Sequence, residues 1–235
     1  MEQISIAIPT FNRHEMTLEA FAKVLDDERI GEIVINDDAS DINSFYALEE
    51  AVSAIPKIKL FRNNSNQGCY KNKMHSIKLC SCQYCVILDS DNIIDSNYID
   101  AIYNEHWNDN LILAPSFAKP LFDYREFINL IVTKSNINEH FHKHHFSTML
   151  NTFNFFVNSK EYIRVFDATF NVAVDPVASD SIYFNYCWLL LGNSIKVVGG
   201  MEYEHRVHSG SYWSNNANAS TDFSNKLLPK IKQLK

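Results

Sequence analysis

The residues best suited to chemistry in this 235-residue chain are two aspartates, Asp89 and Asp91, with Ser90 between them. Residues two apart in an extended segment project to the same side, so both carboxylates are expected to face one pocket. Two close carboxylates repel each other unless a cation lies between or beside them. Oxygen ligands of this type suit Mg²⁺ or Mn²⁺, which would also hold the phosphates of a substrate. The alternative is a pair of solvated aspartates in a turn.

Similar polar clusters follow three other apolar runs: Pro9–Arg13 after Ile4–Ile8, Asn36–Asp38 after Glu32–Asn36, and Arg62–Asn64 after Lys57–Phe61. In open α/β sheets, ligands bind at the carboxyl ends of the strands. Four clusters at one sheet edge therefore predict a binding site. The chain contains neither a glycine-rich dinucleotide fingerprint nor a phosphate-binding loop ending in Gly-Lys-Ser/Thr. An acidic edge of this kind needs a metal to bind a phosphorylated ligand.

Predicted strands and helices alternate along the N-terminal half, and they must position these clusters. Segments of helical periodicity follow each apolar run, which predicts a largely parallel sheet with helices on both faces. Beyond residue 95 the pattern loosens. There we predict helices at 98–104, 123–134 and 181–191, strands at 111–114 and 195–198, an irregular polar stretch at 135–145, and a short amphipathic tail at 221–235.

The amino-acid composition limits the classes of protein to which this chain can belong. Hydrophobic residues make up 46% of the chain and charged residues 21%, as in a soluble globular domain. The net charge of −7 argues against a nucleic-acid partner, which calls for a basic surface. The sequence shows no membrane-spanning stretch and no signal-peptide pattern at its start. Its five cysteines do not form a disulfide framework, so we expect a cytoplasmic protein.

Four blocks of the N-terminal half resemble family 2 of the inverting glycosyltransferases, which have the GT-A fold. They are residues 6–13 (IAIPTFNR), 33–41 (IVINDDASD), 66–68 (NQG) and 86–91 (VILDSD). The resemblance covers residues 4 to about 95. It implies an α/β fold of GT-A type, with a mixed, largely parallel sheet flanked by helices. It also implies one domain at 1–220, in which residues 1–95 bind the nucleotide and residues 96–220 bind the acceptor and carry the catalytic base.

The resemblance also implies roles for single residues. Asp91 and Asp89 would bind the metal. The residues implied in donor binding are Pro9, Thr10, Asn12, Arg13, Asp37, Asp38, Arg62, Gly68, Lys73, Asp89, Ser90, Arg206 and Ser211. Asp180 would be the catalytic base and His208 a metal ligand, with His205 as the runner-up. Three residues depart from the family pattern: Ala39 replaces a glycine, Ser179 a glutamate and Lys73 an arginine.

The function implied is metal-dependent, inverting transfer of a sugar from a nucleotide diphosphate, with a UDP-sugar favoured. The acceptor would be a carbohydrate or lipid-linked molecule in surface polysaccharide or glycan synthesis. The lysines and leucines of the tail at 221–235 could hold the enzyme at the inner face of an anionic membrane. Two alternatives are an inactive nucleotide-sugar-binding module and a sugar nucleotidyltransferase. The second opens with a glycine- and arginine-rich loop, which residues 9–13 do not resemble.

Three smaller patterns have more than one interpretation. Cys80, Cys82 and Cys85 are one ligand short of a structural zinc site, so buried structural thiols are favoured. The histidines between His140 and His145 form a solvated loop, an acceptor-side loop that orders over substrate, or a cluster that captures metal adventitiously. Tyr212 and the adjacent Trp213 would either stack on a sugar or close the core.

Overall fold

Within residues 1–234, the computed structural model places nine strands in one mixed sheet. The first half of the chain contains β1 (Ile4–Thr10), α1 (His14–Phe21), β2 (Ile30–Asp37), α2 (Ile42–Val52), β3 (Ile58–Arg62), α3 (Cys69–Lys78), β4 (Tyr84–Ile87) and α4 (Ser96–Tyr103). The second half contains β5 (Leu111–Lys119), β6 (Phe122–Asp123), β7 (Ile131–Val132), α5 (Phe146–Leu150), β8 (Phe156–Asn158), α6 (Ser159–Thr169), α7 (Asp180–Leu190), β9 (Ser194–Glu204) and α8 (Tyr212–Ile231).

The strand order is β3-β2-β1-β4-β8-β5-β9-β7, and β6 pairs with β5. The first four strands are parallel to one another, so their carboxyl ends meet at one edge. β8 enters antiparallel between β4 and β5, and β5 is parallel to β9. The predicted mixed and largely parallel α/β sheet is confirmed.

Burial explains why the N-terminal strands were recognisable. All seven residues of β1 are buried, because helices cover both faces of a parallel sheet. The helices start at identifiable residues: Asp41 caps α2 by accepting from the Asn43 amide at 3.0 Å. Gly68, at φ 83°, precedes α3 in a conformation that favours glycine. This turn directs α3, which carries Lys73, beneath the carboxyl ends of the strands.

The helix predicted at 123–134 is wrong. The segment pairs through β6 with the end of β5, makes one 3₁₀ turn at Arg125–Phe127, and returns to the sheet as β7. Its apolar spacing resembles that of a helix because Tyr124 and Phe127 are both buried in the core. Pairing with the sheet, rather than a helical face, satisfies the backbone here.

Neither β8 nor α6 was predicted from the sequence. β8 has only three residues, which is too short for an alternating pattern to be visible. Its last residue, Asn158, caps α6 and accepts from the Glu161 amide at 3.0 Å. On α6, Tyr162, Val165 and Phe166 are buried.

The C-terminal segment differs from the predicted short tail. α8 begins at Tyr212, before the predicted start of the tail at residue 221, and continues past Pro229 to Ile231. The proline removes one backbone hydrogen bond from the last turn, and the burial of Leu227 and Ile231 holds the helix on either side of it. Among residues 1–234, no helix is long and apolar enough to cross a membrane.

The structure also describes the cysteines at 80–85 and the histidines at 140–145. Cys80, Cys82 and Cys85 are free thiols, and Cys85 is buried within β4. The rings of His144 and His145 lie 3.8 Å apart, with His145 in a left-handed conformation before α5. In the described part of the chain, no three His, Cys, Asp or Glu side chains are grouped to hold a metal.

Candidate active site

A cleft of about 920 Å³ opens at the carboxyl edge of the four parallel strands. The residues that line it and were singled out from the sequence are Pro9, Thr10, Arg13, Asp38, Gly68, Lys73, Asp89, Ser90, Asp91, Asp180, His205, Arg206 and Ser211. Helix α8 forms one wall of this cleft through Thr221, Ser224 and Leu228. The topology therefore brings residues from both halves of the chain to one site.

Lys73 is the cation at the floor of the cleft. Its Nζ lies 3.1 Å from Oδ1 of Asp89 and 3.0 Å from Oδ2 of Asp180. It also lies 3.7 Å from the centre of the Phe153 ring, within cation–π range. Lys73 and Asp180 are almost completely buried. Lys73 was predicted to contact the donor, but here both of its charge partners are protein carboxylates that it holds together.

The charges of this cluster depend on one another. Burial alone would lower the pKa of Lys73, but the carboxylates of Asp180 and Asp89 outweigh burial and raise it. At Asp89, burial and the repulsion from Asp91 and Asp180 outweigh the attraction of Lys73 and raise the pKa. The cleft thus holds more negative charge than its own lysine can neutralise, and this favours binding of a further cation.

Asp91 also lines the cleft and has its own cationic neighbours. Its Oδ2 accepts from Nη1 of Arg13 at 2.6 Å and lies 3.1 Å from Nε2 of His208. Its backbone carbonyl accepts from Nε of Arg206 at 2.5 Å. The other guanidinium nitrogens of Arg206 donate to Glu19 and to the Met16 carbonyl. Arg206, implied in donor binding by the family resemblance, thus positions Asp91 through contacts within the protein.

The two candidate histidines occupy different surroundings. His205 lines the cleft, and burial lowers its pKa, so it is neutral near pH 7. Its Nδ1 is buried and has no hydrogen-bond partner among residues 1–234. His208 contacts Asp91 from the side of a second cavity of about 450 Å³, which Arg13 also lines. Both histidines are thus near the acidic pair, but only His208 touches it.

The nucleotide end of the cleft is organised around Asp38. Its carboxylate accepts from Asn63 Nδ2 at 2.7 Å and from the amides of Gln67 and Gly68, each at 2.9 Å. These bonds fasten the loop after β3 to the end of β2. Asp38 lines the cleft, and so does Thr10, whose hydroxyl is 2.8 Å from that of Thr17.

Three predicted donor residues lie outside the main cleft. Asp37 accepts from the Ser40 amide at 3.0 Å and pairs with Arg62 at 3.4 Å, so both stabilise the turn after β2. Asn12 accepts from the Asp41 amide at 2.7 Å and lines the second cavity. Of the two adjacent aspartates after β2, Asp38 is therefore the one that faces the cleft.

These findings permit comparison with known proteins. The family model described as glycosyl transferase family 2 matches residues 5–167, which is more than half of the chain. This chain belongs to glycosyl transferase family 2. The match spans the cleft residues of the N-terminal half, including Asp89, Asp91 and Lys73. The prediction of a transferase of this family is confirmed.

A curated relative is a glycosyltransferase named GlyG from Streptococcus pneumoniae serotype 4. It is 25% identical over 105 residues, which are 44% of this family 2 chain and 35% of the relative. The chain therefore spans about a third of the length of the relative that it matches.

Solved structures of S. aureus TarS residues 1–349 have the same fold as this family 2 chain. The structure in complex with UDP-GlcNAc gives a TM-score of 0.71 at 16% identity, covering 99% of this chain and 67% of TarS. The structure without a named ligand gives 0.64 at 17% identity, covering 86% and 60%. At these identities the likeness shows the fold alone, which is the predicted GT-A type.

Several cleft residues of this glycosyltransferase were missed by sequence reasoning. Asn154, at φ 60°, accepts from the Asp89 amide at 2.8 Å and so positions that aspartate. No pattern in the sequence around Asn154 indicates this role. The Cys69 thiol donates to Oδ2 of Asp180 at 3.3 Å. It precedes Lys73 by one helical turn, and that spacing was the available signal.

Tyr212 and Trp213, left open between sugar stacking and core packing, both line the cleft with their side chains partly exposed. Core packing is therefore wrong for both. They begin α8, which kinks at Asn216.

Proposed function

We propose that this chain is a metal-dependent, inverting glycosyltransferase whose donor is a nucleotide-diphospho-sugar, with a UDP-sugar favoured. One observation carries the proposal: Asp180 and Asp89 share the buried Lys73 in the cleft that also contains Asp91. This arrangement supports a catalytic base next to a cation site. The solved TarS complexes contain UDP-GlcNAc and UDP, which supports a donor of that class.

The residues present fit a divalent cation at Asp91. Its carboxylate and the imidazole of His208 converge at 3.1 Å, and Asp89 lies in the same cleft. Within residues 1–234 these side chains do not by themselves form a three-ligand group. Mg²⁺ and Mn²⁺ are often held by one or two carboxylates together with substrate phosphates. When bound, the cation would supply charge neutralisation to the leaving diphosphate.

Protein side chains provide the proton acceptor, hold it in place and bind the nucleoside. Asp180 accepts the proton of an acceptor hydroxyl, whose oxygen forms a bond to the anomeric carbon while the bond to the diphosphate oxygen breaks. One displacement of this kind inverts the anomeric configuration. Lys73 holds Asp180 in place through their 3.0 Å ion pair. Asp38 and Thr10 bind the nucleoside end.

The proposed acceptor is a carbohydrate or lipid-linked molecule used in surface polysaccharide or glycan synthesis. The reaction would take place in the cytoplasm, at the inner face of the membrane. The partly exposed Tyr212 and Trp213 give the cleft aromatic surface suited to a sugar. Membrane contact through the tail would depend on exposed Lys226, Lys230 and Lys232, because the apolar side chains beside them are buried in the protein.

The proposal predicts that UDP raises the melting temperature only in the presence of Mn²⁺ or Mg²⁺. Without a cation, Asp89 and Asp91 repel the diphosphate, so no binding free energy is available to stabilise the fold. Thermal melts with UDP in EDTA, and with UDP and Mn²⁺, test this. Equal shifts under both conditions would contradict metal-dependent donor binding.

A second prediction separates the two histidines. His208→Ala should weaken Mn²⁺-dependent UDP binding by about tenfold, because it removes a group in contact with Asp91. His205→Ala should change the affinity less, since its ring lies against Phe122 and does not touch either aspartate. Calorimetric titration of both variants is the measurement. A larger loss with His205→Ala would assign the metal to its unpartnered Nδ1 instead.

A further inference from the structure

Arg13 makes two contacts that no assigned role explains. Its Nη1 donates to Oδ2 of Asp91 at 2.6 Å, and its Nη2 donates to the carbonyl of Gly210 at 2.8 Å. The first contact is to the same carboxylate oxygen that faces His208. A guanidinium therefore occupies the oxygen at which the candidate cation would bind.

The guanidinium and a divalent cation cannot share this oxygen without strong repulsion. Both are positive, and Asp91 is mostly shielded from water, so solvent screens their repulsion poorly. A cation that binds at Oδ2 of Asp91 must therefore displace Arg13 and its charge-assisted hydrogen bond. The displaced side chain has space available, because Arg13 lines both the main cleft and the second cavity.

We propose that Arg13 takes the place of the divalent cation at Asp91 until the donor binds, and then pairs with the donor diphosphate. The inference rests on the proposed function, since it needs a metal and a diphosphate in this cleft. Arginine geometry matches phosphate oxygens as well as it matches a carboxylate. Once released from Asp91, the guanidinium of Arg13 pairs with the diphosphate. Arg13 is thus a positioning residue that makes the cation and the nucleotide bind cooperatively.

Mn²⁺ affinity measured with and without UDP tests this in the full chain, with free Mn²⁺ read from its electron paramagnetic resonance signal. Without UDP, Arg13→Gln should bind Mn²⁺ about tenfold more tightly than wild type, because the competitor for Asp91 is gone. The factor by which UDP strengthens Mn²⁺ binding should fall by about tenfold in the same variant. A loss of folding stability alone would not change that factor in this direction.

Arg164→Gln is the matched control, because Arg164 pairs with Glu161 at 2.6 Å on the surface, outside the cleft, and its loss should change neither value. Should Arg13→Gln fail to fold, Arg13→Lys keeps the charge but lacks the second donor arm, and should tighten Mn²⁺ binding by about threefold. Equal Mn²⁺ affinities in wild type and the folded Arg13 variant would overturn the inference and leave the proposed function intact. A wild-type chain that binds UDP equally well without Mn²⁺ would overturn the metal-dependent function, and this inference with it.

Discussion

Replacing Asp180 with asparagine should lower kcat by about a hundredfold or more while the Kd for UDP stays nearly unchanged. Asparagine has the same shape but cannot accept the proton of the acceptor hydroxyl. Asp180 is the buried first residue of α7, so the start of the helix fixes its position in the cleft. It is also within 3.0 Å of Lys73. The measurement is the transfer rate, or donor hydrolysis, with the nucleotide sugar selected by a binding panel.

The matched control is Asp175→Asn. Asp175 is exposed, accepts from the Val177 amide at 2.9 Å and does not line the cleft. Its loss should change kcat by less than about threefold, because a surface substitution of this kind alters little besides the local turn. If Asp180→Asn kept near-normal turnover, or if Asp175→Asn were the more damaging change, Asp180 would not be the base.

Lys73→Met should have the second-largest effect, on both stability and turnover. Removing the cation leaves Asp180 buried beside Asp89 with no positive partner, and breaking a buried ion pair in this way costs about 3 kcal/mol of unfolding free energy. We expect kcat to fall at least about tenfold, because one of the two carboxylates then keeps a proton and is no longer available as a base. Denaturant unfolding and transfer rates measure the two effects.

The stability that Lys73 contributes depends on pH in a definite direction. The pKa of Lys73 is raised in the fold, so its stabilising contribution is fully present at every pH below the ordinary lysine range, neutrality included. As the pH rises past that range, the lysine of the unfolded chain loses its charge first and the contribution declines. The stability gap between Lys73→Met and wild type should therefore be largest at neutral and lower pH and shrink above about pH 10.

Lys59→Met serves as the control for charge removal. Lys59 pairs with buried Glu32 at 2.5 Å, but its own side chain is half exposed and the pair lies outside the cleft. This variant should lose some stability and keep its kcat. A Lys73→Met enzyme with wild-type kcat would show that the lysine has a structural role only.

The N-terminal half could be predicted because its physics is local. Buried parallel strands appear in the sequence as continuous apolar runs such as Ile4–Ile8, and helices follow them at a recognisable period. The polar residues that end each run must then meet, since parallel strands share one carboxyl edge. Asp38, Asp89 and Asp91 were placed in the cleft by this reasoning together with the family resemblance.

The second half could not be predicted in the same way, because its elements are short and stabilised by distant partners. The three residues of β8 show no period, and the buried Tyr124 and Phe127 produced a false helical pattern. Pro229 lies inside α8, because burial of the residues around it outweighs one lost hydrogen bond.

The charge partners in the site were decided by the tertiary structure alone. Spacing along the chain cannot show that Arg13 meets Asp91, 78 residues away, or that Arg206 reaches the Asp91 carbonyl across 115 residues. A sequence specifies which side chains can carry charge, but the pairing of those charges depends on distances that exist only once the sheet has assembled and α8 has packed along the cleft. The sequence by itself therefore determined the edge of the sheet at which chemistry occurs, and the folded chain determined which of its charges are paired there.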